Sequence, residues 1–133
     1  MAEGGSKNKV KKNESSRLVV KEGWLRKRGQ HIQTWRNRYF ILFDNGDLIG
    51  YKKEPKKNYS RDQCHKYTVF ESQVMYPEVP WTPFSYLFVI RLWFPSVVER
   101  TFSVETEKQC DEWVEAIRGV TWKIRDNIVS VQV

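Results

Sequence analysis

The spacing of apolar residues changes once along this chain, and that change limits the folds it can adopt. Between residues 18 and 105, short stretches rich in β-branched and aromatic residues alternate with turn-forming residues, a pattern typical of strands. From residue 106 the apolar residues recur every three or four positions, as on one face of an amphipathic helix. The sequence therefore predicts a mainly β fold with one C-terminal α-helix, in which antiparallel strands form a small, curved or barrel-like sheet and the helix closes its open end.

Turn-forming residues divide the first part of the chain into six expected strands. The Asn45-Gly46 pair predicts a tight hairpin turn, because glycine and asparagine tolerate the positive φ angles that such a turn needs. Three prolines between residues 76 and 83 predict a loop there. The expected strands span residues 18–28, 34–43, 48–53, 67–75, 84–93 and 97–105.

The helix has a recognisable beginning in the sequence. Thr106 is followed three residues later by Gln109, which is the spacing of a capping box. Gly119 lowers the helix propensity, and we expect the helix to end near residue 122. Its apolar face is formed by Cys110, Trp113, Val114, Ile117, Val120 and Ile124.

The composition predicts one globular domain, residues 18–122, with a polar segment on each side. Residues 1–17 include five basic and few apolar residues, so we expect a disordered basic arm. Residues 123–133 are expected to form a C-terminal tail. The first residues contain no apolar leader, and no apolar run has the length of a membrane span. Together with only two cysteines, this predicts a cytoplasmic location.

Positive charge is concentrated in the first half of the chain. Residues 1–66 contain 17 Lys or Arg and 7 Asp or Glu, whereas residues 67–133 contain 6 and 9. Such asymmetry predicts a basic face that contacts an anionic partner, which could be nucleic acid, a membrane surface or a phosphorylated ligand.

Catalytic and metal-binding motifs are not evident in the sequence. There is no glycine-rich nucleotide loop and no supported nucleophile–base set, so we expect no enzymatic activity. The two histidines and two cysteines lack the spacing of metal ligands, with Cys64 expected in a loop and Cys110 in the core. Neither a metal nor another cofactor is expected.

The basic residues around the first loop share a strand face with core residues. Lys27 lies on the same side of the first strand as Leu25, and Arg36 and Arg38 lie on the same side of the second strand as Phe40. Cations that converge at an open rim repel one another unless an anion lies among them, and guanidinium and ammonium groups suit phosphate oxygens. We therefore expect a phosphate site; the alternative is a solvated, charged hairpin.

The segment "VKEGWLRKRGQHIQTWRNRYFILFDNGDLIGYKK" resembles the start of the pleckstrin homology (PH) domain of the Akt (protein kinase B) family, and "VVERTFSVET" with "EWVEAI" resembles its end. The resemblance covers residues 18–122 and implies a seven-stranded, partly open barrel capped by a helix with Trp113 buried. It also implies a monomeric domain recruited to the plasma membrane by PI(3,4,5)P3 and PI(3,4)P2. The Ser/Thr kinase domain of that family has no counterpart in this sequence.

The resemblance also implies which residues contact the lipid headgroup. Basic side chains of the strands would contact phosphates, and the loop after the first strand would add backbone amides. Gln30 stands where the family usually has an acidic residue, and His65 stands where it has a ligand-contacting Asn. The implied phosphoinositide contacts are Lys27, Gln30, His31, Ile32, Arg36, Arg38, His65 and Arg100.

Two other functions would also suit a small basic barrel. Single-stranded nucleic acid needs aromatic and basic side chains on one face, whereas Trp24, Trp35 and Tyr39 fall on the opposite parity to the three cations of the predicted phosphate site. A peptide-binding module of the same fold would use the groove between helix and sheet, and such a groove does not require a basic rim. The sequence therefore favours phosphoinositide binding and no nucleic acid.

Overall fold

The computed structural model describes residues 17–29, 34–56, 63–77, 85–93 and 96–132, with helix side chains described as far as residue 123. Within these ranges seven antiparallel strands form one sheet that is not closed into a barrel, and one helix follows. The sheet order is β4-β3-β2-β1-β7-β6-β5. The elements are β1 Val19–Arg28, β2 Trp35–Phe43, β3 Asp47–Tyr51, β4 Gln63–Thr68, β5 Gln73–Met75, β6 Tyr86–Leu92, β7 Val98–Val104 and α1 Glu107–Gln132.

Strand β1 connects the two halves of the sheet. It pairs with β2 from Val19 to Arg28, but with β7 only through Arg26 and Lys27. Because the β1–β7 pairing is confined to one end, the two halves can bend over a common core. The rings of Phe40 on β2 and Phe102 on β7 show this closure, with centroids 5.3 Å apart.

The helix covers this core with the face predicted from its periodicity. Each of the five apolar side chains predicted for that face and described in the structure is buried, and Ile124 lies outside the described side chains. The capping box is confirmed: Thr106 Oγ1 accepts a hydrogen bond from Gln109 N–H at 3.1 Å, and Gln109 Oε1 accepts one from Thr106 N–H at 3.2 Å. These bonds satisfy amide groups that the first turn leaves without intrahelical partners.

The helix continues to Gln132, so the expected end near residue 122 is wrong. A single glycine costs a helix about 1 kcal/mol, which is too little to end one whose preceding turns are packed on the core. Although this helix is long, no helix in the described part of the chain is both long and apolar enough to cross a membrane.

The strand expected at residues 67–75 is two strands, which is the second correction. Chain direction changes at Glu71, whose φ of 58° lies in the left-handed region that a strand cannot contain. The break is not evident in the sequence because Val69 continues the apolar pattern between the two strands. Its side chain is fully buried in the core. Strand β4 also begins earlier than expected, so Cys64 lies in a strand and not in a loop.

The turn between β2 and β3 is tight, as expected, but Asn45 is not in a left-handed conformation. Gly46 has a φ of 99°, and Glu71 is the one described non-glycine residue with positive φ. Asn45 instead accepts a hydrogen bond from Asp47 N–H through Oδ1 at 3.0 Å. Strand β3 ends at Tyr51, two residues before the expected position 53.

Candidate phosphate-binding site

Lys27 on β1 and Arg36 and Arg38 on β2 lie at one end of the face that forms the core. Leu25 pairs with Arg38, and Lys27 pairs with Arg36, two steps apart in the same ladder and therefore on the same face. Leu25 and Phe40 are buried in the core on this face. The alternation therefore places the strand cations as the sequence predicted: the same row of side chains changes from apolar to basic towards the loop that joins β1 and β2.

Lys27 is the most enclosed of these cations. Only 7% of its surface is exposed, which is unusual for a lysine. Burial lowers its pKa, and the charges of Arg100, Arg38 and Arg36 lower it further. Its Nζ has one weak contact, 3.5 Å from Arg28 O. The structure thus holds a lysine ammonium within the field of three arginines, which favours a bound anion there.

Arg38 has a hydrogen-bond donor directed into the protein. Its Nη1 donates to Asn37 O at 2.7 Å. Its Nε is buried and has no hydrogen-bond partner in the described part of the chain. A buried donor without an acceptor costs about 1–3 kcal/mol, so an additional acceptor beside this N–H would stabilise the arrangement.

Arg100 on β7 reaches the same end of the sheet. Its Nη1 donates to Glu99 O at 3.0 Å, and its guanidinium lies 5.9 Å from the centroid of the Tyr67 ring. A hydrogen bond from Arg100 also lowers the pKa of Tyr67, although burial outweighs it and the net pKa is raised. Tyr67 was missed as a site residue; its position two residues from His65, hence on the same face of β4, was the signal for it.

His65 brings strand β4 into the site. Its ring is nearly parallel to those of Phe40 and Tyr67, with its centroid 6.3 Å from that of Phe40 and 6.1 Å from that of Tyr67. Burial lowers its pKa to about 4, and nearby cations contribute, Lys27 first. The imidazole is therefore neutral at physiological pH and can donate or accept a hydrogen bond.

The structure brings together five of the eight residues predicted for headgroup contact: Lys27, Arg36, Arg38, His65 and Arg100. The other three, Gln30, His31 and Ile32, lie outside the described residues. Among the described residues, every charged group that shifts the pKa of His65 is a cation. Such a cluster, with two or more guanidinium forks around one ammonium, can hold several phosphate groups and stabilise their negative charge.

Comparison with known proteins identifies the fold family. A family model described as the PH domain matches residues 19–121. This chain belongs to the PH domain family. The PH domain is a non-catalytic module. The curated relatives of this chain are RAC (Akt) kinases that are 40–45% identical to it over the PH region, which confirms the resemblance to Akt.

The similar kinases are much longer than this PH domain. The RAC serine/threonine-protein kinase of Drosophila melanogaster is 45% identical over 112 residues, which cover 81% of this chain and 18% of the kinase. The human RAC-beta serine/threonine-protein kinase is 43% identical over 104 residues, which cover 77% and 21%. The chain therefore spans about a fifth of the length of these curated relatives.

Solved structures confirm the fold. The crystal structure of the carboxyl-terminal PH domain of pleckstrin has a TM-score of 0.65 and 23% identity, covering 78% of this chain and 97% of that one. The same domain in complex with D-myo-Ins(1,2,3,4,5)P5 has a TM-score of 0.63 and 24% identity, covering 78% and 99%. At this identity the likeness concerns the fold: an open antiparallel sheet with a C-terminal helix.

Proposed function

We propose that this PH domain binds the headgroups of PI(3,4,5)P3 and PI(3,4)P2 and thereby recruits the protein that carries it from the cytoplasm to the inner plasma membrane. One observation carries the proposal: Lys27 lies within the field of Arg36, Arg38 and Arg100, so that four cations from three strands form one cluster, and the buried Nε of Arg38 lacks a partner among the described residues. Both the convergence and the unused donor favour a ligand with several phosphates.

The residues have distinct roles in this proposal. Arg36 and Arg38 present planar guanidinium forks to phosphate oxygens, and Lys27 provides an ammonium between them. Arg100 approaches from the opposite half of the sheet, positioned by Tyr67. His65 forms the wall on β4, and Gln30 with the backbone of His31 and Ile32 would close the site from the loop.

Two comparisons support the choice of an inositol phosphate. The curated relatives are RAC kinases, whose similarity to this chain lies in the PH region. A pleckstrin PH domain of the same fold was crystallised with an inositol pentakisphosphate. The domain would act as a non-catalytic, monomeric binding module, and any kinase activity would belong to a domain outside the chain described.

The position of the aromatic residues supports a headgroup over a nucleic acid. Trp24 and Trp35 are 49% and 39% exposed, but they lie on the face opposite to Lys27 and Arg38. Trp24 packs edge-on against Tyr39, with ring centroids 5.4 Å apart. Single-stranded nucleic acid binding requires stacked bases and basic side chains on one face. Bases stacked on Trp24 and Trp35 would instead lie on the face opposite to Lys27 and Arg38.

The proposal is tested by titration with phosphatidylcholine vesicles that each contain one phosphoinositide. We expect the tightest binding to vesicles with PI(3,4,5)P3 and PI(3,4)P2, and weaker binding to PI(4,5)P2 at matched surface charge. The control variant Lys108→Ala removes one positive charge from the first turn of the helix, where the Lys108 side chain is 84% exposed and lies 4.0 Å from Glu112, and should bind like the wild type. Equal binding to all vesicles of equal charge would show nonspecific electrostatic attraction and contradict the proposal.

A further inference from the structure

The position of His65 follows from a row of three residues across three strands. Phe40 on β2 pairs with Gly50 on β3, and Gly50 pairs with His65 on β4. Gly50 has no side chain, so the rings of Phe40 and His65 can approach each other across it, 6.3 Å apart and 9° from parallel. The Tyr67 ring, two residues along β4, is also nearly parallel to the imidazole, with centroids 6.1 Å apart. Packing against these two rings favours one orientation of the imidazole before any ligand binds.

The described residues whose charges act on His65 lie on the other strands of the site. Lys27 is on β1, Arg36 and Arg38 are on β2, and Arg100 is on β7. Strand β3 presents Gly50, which carries no charge, and β4 itself presents Tyr67, whose pKa is raised. The imidazole therefore faces four cations, and a proton on it would add a fifth positive charge to the cluster.

A bound polyphosphate reverses this electrostatic balance. Its negative charges lie among the same four cations and offset their repulsion of a protonated imidazole. An imidazolium also donates through both ring nitrogens, whereas the neutral ring donates through one. Binding at this site and protonation of His65 consequently favour each other, as linked equilibria must.

We propose that His65 is a proton-coupled phosphate ligand: it is neutral in the empty site and takes up one proton from the solvent as a polyphosphate headgroup enters. Headgroup affinity then increases as the pH falls below neutral, until protonation of the phosphates themselves opposes the effect. This inference rests on the proposed function, because the ligand is the headgroup described above. It adds a pH-dependent step that a neutral amide side chain at this position would not have.

The most direct experiment follows the His65 ring by NMR in the full chain, which has only two histidines. Ring carbon–proton signals are recorded across pH, with and without saturating inositol 1,3,4,5-tetrakisphosphate, and His65→Gln identifies which signal belongs to His65. In the empty site we expect the pKa of His65 near 4. With the headgroup bound we expect it above 6, so that most of the imidazole is protonated at pH 6.

The outcomes separate the two proposals. If headgroup binding saturates but the pKa of His65 is unchanged, the proton coupling is wrong and the binding function stands. No spectral change at any headgroup concentration would overturn the binding function and the coupling together.

Calorimetry provides a second measurement. Titrations in two buffers of different ionisation enthalpy report the protons taken up on binding, and protonation of the ligand cancels between wild type and variant. At pH 6 we expect the wild type to take up more protons than His65→Gln, by as much as one. Its affinity relative to the variant should increase with each unit of pH decrease, by at most about tenfold for one proton. Equal uptake by both proteins, with binding retained, would contradict the proposal; His65→Asn repeats the comparison if His65→Gln does not fold.

Discussion

The ring of Phe40 lies so close to the backbone of Gly50 that a Cβ placed on Gly50 would be 2.7 Å from Phe40 Cζ. Gly50 is not among the described residues with positive φ, so glycine is required here for space and not for its backbone conformation. The same missing side chain lets Phe40 support the His65 ring. Core packing and the shape of the candidate site are therefore linked at this one residue.

Substituting Gly50 with alanine should destabilise the fold by about 1–3 kcal/mol, because Phe40 must move within a packed core. Gly119→Ala is the matched control: a Cβ on this helical residue meets nothing within 4 Å. That change should raise the free energy of unfolding by about 1 kcal/mol through helix propensity. Urea denaturation of both variants measures the two effects, and a Gly50→Ala protein as stable as the wild type would show that Phe40 is not constrained by Gly50.

Replacing Thr106 with alanine should cost about 1 kcal/mol of stability, because it removes the acceptor for Gln109 N–H at the start of the helix. Thr106→Ser keeps the hydroxyl and should retain most of the stability. Thermal denaturation of the two variants distinguishes a cap from simple side-chain packing. If the serine variant loses as much stability as the alanine variant, the capping hydrogen bond is not the cause.

The stability of the unliganded domain should fall in mild acid because of His65. Its pKa is lowered from the usual 6.5 to about 4 in the folded state, so between these pH values the unfolded chain binds more protons than the folded one. The free energy of unfolding therefore decreases as the pH falls through this interval, by about 1–2 kcal/mol at pH 5 after allowance for solvent screening.

The matching variant for this pH effect is His65→Gln, which cannot gain the proton. Urea denaturation at pH 7.5 and pH 5 should show a smaller loss of stability for the variant than for the wild type. Equal losses would mean that other groups cause the acid sensitivity and that His65 is protonated without cost in the folded state.

Local sequence patterns were sufficient for the parts of the fold that depend on neighbouring residues. Alternation in β1 and β2 placed Lys27, Arg36 and Arg38 on the core face, and the Thr106–Gln109 spacing placed the start of the helix. The break at Glu71 was not predictable in this way. Val69 fills the core beside the turn, and its apolar side chain resembles that of a strand residue in the sequence. The helix end was predicted wrongly because the low helix propensity of Gly119 carries no information about how the preceding turns pack on the core.

The candidate site shows the same division between local and long-range information. Alternation along two adjacent strands was sufficient to place their cations on one face, whereas Arg100 and His65 were predicted from the family resemblance. Tyr67 was not expected, because its contact with Arg100 depends on two strands, β4 and β7, that are distant in the sheet order. The unpartnered Arg38 Nε depends on burial by the whole fold, which no local pattern contains.

The proposed function depends above all on Arg38, and its contribution can be measured by titrating the domain with inositol 1,3,4,5-tetrakisphosphate. Arg38→Ala should weaken binding by about 1.5–3 kcal/mol, about 10- to 150-fold, with a melting temperature no lower than that of the wild type. Arg91→Ala is the control: it removes an arginine that pairs with Glu99 at 2.7 Å on the opposite face, and should bind like the wild type. If Arg38→Ala binds as tightly as the wild type but melts at a lower temperature, Arg38 is a structural residue and the basic cluster is not the headgroup site.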